Sequence, residues 1–145
     1  MTDLNKAKEL LLGGGYTCVL YKDGNAKISN ERGVNPLVSL LQTEEDFSGY
    51  SSADKVVGKA TAFLYALLNV KAVYACVISK PAFKVLSEHG IFVEYGMLTE
   101  YIVNRKGDGV CPFEEAVMDV KTPKQAQTVI LKKLNEMSVE ASATN

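Results

Sequence analysis

Neither a basic nor an acidic field stands out in this chain of 145 residues, where 16 Lys and Arg face 17 Asp and Glu for a formal net charge of -1. That balance gives nucleic acid and anionic membrane no electrostatic handle, so neither is expected as a partner. Cysteine is scarce: three residues, odd in number and widely spaced, argue against a disulfide framework. No apolar run is long enough to span a bilayer, and the richest, Ala60 to Leu68, is broken by Thr61 and Tyr65. Met1 to Lys6 lacks the apolar core and cleavage site of a signal peptide, so a cytoplasmic location is expected. Histidine occurs once, His89, just before Gly90, where it suits the negative end of a helix. There is no internal repeat and no dividing linker. The seven tyrosines are scattered rather than arranged as a stacking platform.

What is present is ordinary globular material, 47% hydrophobic and 23% charged, in a length that fits one domain. Leu4 to Leu12 reads as a helix closed by Gly13-Gly14-Gly15; with no helix following, those glycines do not make a phosphate-cradling loop. Tyr16–Tyr21 and Ala26–Ser29 read as a hairpin around Lys22-Asp23-Gly24-Asn25. A short helix is expected over Asn35–Gln42, with Pro36 in its first turn. Ala72–Ile78 is the continuous apolar run of a central strand. Pro81 opens a helix to Leu86, Ile91–Tyr95 is a further strand, and Leu98–Val103 is helical or mixed. Pro112 starts a short helix to about Asp119, and Thr122-Pro123 starts the last one, to about Glu136. Its stripe of Ala126, Val129, Ile130, Leu134 and Met137 suits core or a subunit contact, which leaves a homo-oligomer open. Residues 1–137 are expected to form one α/β domain, and 138–145 a flexible polar tail.

The segment Ser51 to Leu68 carries the most information. It reads as one helix, polar at its start and apolar all round after Gly58, hence a buried helix whose first turns open into a cleft. Lys55 and Lys59 then lie four residues apart on one face, Gly58 lets a group approach the backbone, and a helix start suits an anion. Ser52, Asp54, Lys55, Gly58 and Lys59 are therefore candidate ligand-binding residues. The ordinary alternative makes Ser52 an N-cap, Asp54 a favourable first-turn acid and Gly58 a packing residue.

A second constellation is Asn104-Arg105-Lys106-Gly107-Asp108-Gly109-Val110-Cys111-Pro112. Arg105 is a candidate clamp for a carboxylate or phosphate, and Cys111, ahead of a helix-opening proline, is a candidate nucleophile. Against the second stand the acidic neighbours Glu114 and Glu115, which also suit helix capping, and the lack of an identifiable base. Cys18 and Cys76, inside apolar strands, read as inert core.

A hairpin, a buried helix with a polar start, a strand and a second helix opening at a proline together resemble the cytidine deaminase-like fold. There the first helix carries His-Ala-Glu or Cys-Ala-Glu and the second opens Pro-Cys-x-x-Cys; here Ser52-Ala53-Asp54 and Pro81-Ala82-Phe83-Lys84-Val85 stand in their places. Asp54-Lys55-Val56-Val57-Gly58-Lys59-Ala60 and Gly109-Val110-Cys111-Pro112 resemble domain-of-unknown-function family 1893, placed in that same fold. The resemblance implies a three-layer α/β sandwich, a mixed sheet with helices on both faces. It also implies that the zinc site is lost, because Ser52, Ala82 and Val85 replace the imidazole and thiolate ligands. No metal and no cofactor are expected. The expected function is a pocket for a small anionic, nucleotide-like metabolite. The alternatives are a metal-independent enzyme using Asp54, Lys59 or Cys111, and a module serving structure or oligomerisation alone.

Overall fold

The computed structural model describes residues 2–104 and 106–143, with side chains as far as Val139. Helix α1 (Asp3–Gly14) starts where the Thr2 hydroxyl accepts the Asn5 amide and stops at Gly15, whose φ of 73° is the left-handed conformation a helix end favours. Strands β1 (Cys18–Lys22) and β2 (Asn25–Ser29) form the expected hairpin; Asp23 and Gly24 both have positive φ, the signature of a two-residue turn that matches strand twist. Helix α2 (Asn35–Leu41) begins with Pro36 in its first turn.

The main departure from the sequence reading follows. Ser51 to Leu68 is not one helix but a strand, β3 (Ser51–Val57), a capping Gly58, and helix α3 (Lys59–Leu68). β3 lies at the centre of the sheet, and its side chains alternate: Ala53 packs beneath α1, whereas Ser52 and Asp54 reach Tyr65 on α3. A strand covered on both faces normally reads as an apolar run. Polar residues at four of its first five positions hide the strand in the sequence.

The remainder follows the expected alternation, with shifted boundaries. β4 (Ala72–Ser79) leads directly into α4 (Lys80–Glu88), where the Ser79 hydroxyl accepts the Ala82 amide. β5 (Phe92–Thr99) is longer than expected and takes up the first residues of the segment read as helical or mixed. Beyond it the described residues include a bridge between Val103 and Val110 ahead of α5 (Pro112–Ala116). The last helix, α6 (Pro123–Ala143), takes in residues 138–143, the described part of the stretch expected to be a loose tail.

The sheet order is β2-β1-β3-β4-β5; β1 is antiparallel to both its neighbours, and β3, β4 and β5 are mutually parallel. Helix α1 covers one face through Ala7 and Leu11. The other face carries α3, with α2, α4 and α6 packed around it in the main core. Helices on both faces of a mixed sheet make the three-layer α/β sandwich. Among the described residues no helix is long and apolar enough to cross a membrane.

Candidate functional site

The carboxyl end of β3 is where neighbouring connections diverge: the chain leaves it into α3, while β1 beside it runs the opposite way. Open α/β sheets place ligand crevices at such a point. Here a cleft of about 830 Å³ opens over Asp54, Lys55 and Val56. Its walls are the start of α3 (Gly58, Ala60, Thr61), the connection into α2 and its first turn (Glu31 to Pro36), parts of the 102–114 segment, and Leu134 and Met137 of α6.

Asp54 lies on the cleft floor with only 8% of its surface exposed. The Tyr65 hydroxyl donates to its Oδ2 at 2.7 Å, and Ser52 Oγ lies 2.7 Å from that same hydroxyl. Because Tyr65 has one proton and gives it to Asp54, Ser52 is the donor in the second contact. Cys18 Sγ, 3.5 Å from Tyr65, completes a buried polar cluster. Burial pushes the Asp54 carboxyl up to about 7, with hydrogen bonds from Tyr65 and nearby backbone amides acting against it. Burial, then the adjacent Asp54 charge, raises both the Tyr65 hydroxyl and the Cys18 thiol well above their ordinary values. Asp54 is thus the titrating end of the cluster, and the end that faces the cleft.

The start of α3 is not an open anion site. Glu114, buried and contributed by α5, accepts the Lys59 amide at 2.8 Å and the Ile102 amide at 3.4 Å. Glu114 and Glu115 both suited capping their own helix from sequence; Glu114 caps a different one. Gly58 leaves room for this packing, since a Cβ there would lie 3.0 Å from the Glu114 carboxyl and 3.2 Å from Ile102 Cγ1.

The candidate residues therefore separate. Asp54, Lys55, Gly58 and Cys111 line one cleft, but Asp54 and Lys55 do so as strand residues. Ser52 is fully buried behind Asp54 and does not reach the cleft wall. Lys59 turns away: its Nζ donates to the Met118 carbonyl at 2.8 Å, so it shares no face with Lys55. Arg105 lies outside the described residues. Tyr65 and Arg32 were missed. A lone tyrosine inside an otherwise apolar helix was a usable signal, because a buried hydroxyl requires a partner.

Ser52-Ala53-Asp54 also cannot stand for the ligand-bearing helix start, since α3 opens Lys59-Ala60-Thr61. In α4, Ala82 and Val85 are buried apolar positions. Neither helix start offers a thiolate or an imidazole, the donors zinc prefers. Among the described residues no three His, Cys, Asp or Glu are grouped as metal ligands.

Residues 6–134 match the domain of unknown function DUF1893. The chain belongs to the DUF1893 family. A crystal structure of a DUF1893 family protein from Thermotoga maritima superposes with a TM-score of 0.84 at 27% identity, over 92% of this chain and 91% of that one. A dCMP deaminase from the cyanophage S-TIM5, in apo form, aligns with a TM-score of 0.45 at 17% identity, over 63% of this chain and 92% of the deaminase. No curated protein matches the chain.

Proposed function

We propose that the cleft binds a small anionic metabolite, nucleotide-like in joining a flat or apolar body to a charged end, and that Asp54 anchors it from the floor. The observation that carries this reading is a buried carboxyl backed by Tyr65 and Ser52 and facing open space. A central strand gains no stability from a buried ionisable group, so its presence at the cleft floor points to use. The walls supply the rest: Val34, Val56, Ile102 and Phe113 suit an apolar body, while Arg32, Lys55 and Lys106 are cations for a charged end. The anion meets these side chains rather than the start of α3, where Glu114 already sits. No step runs through zinc, because neither helix start carries its ligands. Nucleic acid and membrane have no part in this reading, and a cytoplasmic setting fits it.

One observation favours a second reading, metal-independent acid–base catalysis. A carboxyl that titrates near 7 exchanges protons at neutral pH, as a general acid or base must. Asp54 is then the catalytic group, Tyr65 and Ser52 position it, and Cys111 shares its cleft; Lys59 takes no part. A fold used for assembly alone gives no reason for a polar cluster under a cleft.

The test is a thermal-stability panel of nucleoside monophosphates, sugar phosphates and dicarboxylates, run on the native chain and on Asp54→Asn. A ligand at one hundred times its Kd adds about 2.7 kcal/mol to the native state. The expected result is stabilisation of the native chain by at least one class, lost or strongly weakened in Asp54→Asn. A flat panel, or equal stabilisation of both proteins, overturns the proposal.

A further inference from the structure

The two edges of the sheet are built differently. β2 is a five-residue strand bearing Asn25, Lys27 and Ser29, and Lys27 is paired with Glu45. Short length and an edge lysine are usual guards against strand-to-strand association. β5 has neither. Its eight residues, Phe92-Val93-Glu94-Tyr95-Gly96-Met97-Leu98-Thr99, include no lysine and no proline, and its one charge, Glu94, is paired with Lys8 of α1.

β5 is also apolar where it is exposed. Phe92 and Met97 are 62% and 61% exposed, and Tyr95, Leu98, Tyr101 and the adjoining Phe83 lie between 36% and 55%. At ~200 Å² for each large side chain, these fractions leave roughly 600 Å² of apolar surface per copy. Two such surfaces, if fully covered, match the lower bound for a specific stable interface, about 1,200 Å² in total, to which the paired strand backbone adds.

We infer that β5 pairs with β5 of a second copy of this chain, antiparallel about a two-fold axis at Tyr95, joining two five-stranded sheets edge to edge. The axis stands perpendicular to the sheet, so each face continues across the junction. Glu94 and Phe92 lie on the α1 face, Val93 and Tyr95 on the α4 face, where Tyr95 stacks edge-on against Phe83. This register sets Tyr95 against its own mate and brings Phe92 and Val93 alongside Leu98 and Met97 of the other copy. Glu94 then faces Gly96, so the strand's only charge never meets itself. Apolar and aromatic cross-strand pairs are the stabilising kind, and opposed like charges the destabilising kind.

Light scattering on the full chain, from micromolar to submillimolar concentration, reads the outcome. The expected mass is twice the 15.8 kDa of one chain. Met97→Lys and Phe92→Lys, both at exposed positions, are expected to weaken association at least tenfold while circular dichroism stays native. Ile28→Lys, an exposed change on the opposite edge, is expected to leave the dimer intact. Tyr95→Cys is expected to form an intermolecular disulfide on mild oxidation that the native chain does not form, because facing strand residues lie within disulfide reach. A native chain that stays monomeric throughout overturns the inference. So does a dimer that survives both lysine changes, or an assembly disrupted by Ile28→Lys instead.

Discussion

Replacing Asp54 by asparagine separates what the buried carboxyl costs from what it does. Asparagine keeps the shape and an oxygen to accept the Tyr65 hydroxyl, but it does not ionise. In the unfolded chain Asp54 titrates at its ordinary 3.8, and in the folded chain at about 7. Between those values the folded state holds a proton that the unfolded state has released, so stability falls as pH rises through this window. Below 3.8 both states are protonated and the contribution is fully present; above about 7 both are ionised and it is gone. At 1.36 kcal/mol for each unit, the gap of about three units gives a loss of about 4 kcal/mol, a ceiling because water entering the cleft softens the penalty. Urea denaturation followed by circular dichroism, at several pH values from about 4 to about 8, measures it for both proteins. The expected result is a stability difference that grows in favour of Asp54→Asn across the window and then levels. A pH-independent offset between the two proteins refutes the account of Asp54.

Three further outcomes follow from the cleft wall. Glu114→Ala leaves the Lys59 and Ile102 amides without their acceptor and is expected to cost about 1–2 kcal/mol in thermal or urea unfolding. Gly58→Ala, which drives a Cβ against the Glu114 carboxyl, is expected to cost about 1–3 kcal/mol alone and less when Glu114 is already alanine, so the two changes are non-additive. Alkylation of the three thiols is expected to spare buried Cys18, and a ligand in the cleft is expected to protect Cys111 while leaving Cys76, beneath α1, at its unliganded rate. Equal protection of Cys76 and Cys111, read by mass spectrometry, counts against the placement of the ligand.

The architecture was largely legible in the chain because its signals are local. Gly15 and Gly90 in left-handed conformations end α1 and the helix before β5, Asp23-Gly24 turns the hairpin, and the apolar run through β4 has the composition of a buried strand. β3 failed for a physical reason. Its neighbours on both sides satisfy its backbone, so it tolerates Ser51, Ser52, Asp54 and Lys55, and those polar residues imitate a helix start when read ahead of α3. Two of them, Asp54 and Lys55, line the cleft. Asp54 was legible as important, and Tyr65 carried a signal of its own, but their pairing was not legible, because a contact across eleven residues between strand and helix has no local signature. Lys59 was misplaced with the helix boundary: moved from the second turn to the first residue of α3, its side chain points to Met118 and not into the cleft.

The central claim, that the cleft binds through Asp54, is tested most directly by titrating isotopically labelled protein with the ligand panel and following the amide shifts together with the Asp54 carboxyl carbon. The account predicts saturable shifts at Asp54, Lys55, Thr61, Asn104 and Cys111, and a carboxyl midpoint that starts near 7 and moves when ligand binds. A midpoint near 3.8, or shifts confined to surfaces away from the carboxyl end of β3, contradicts it.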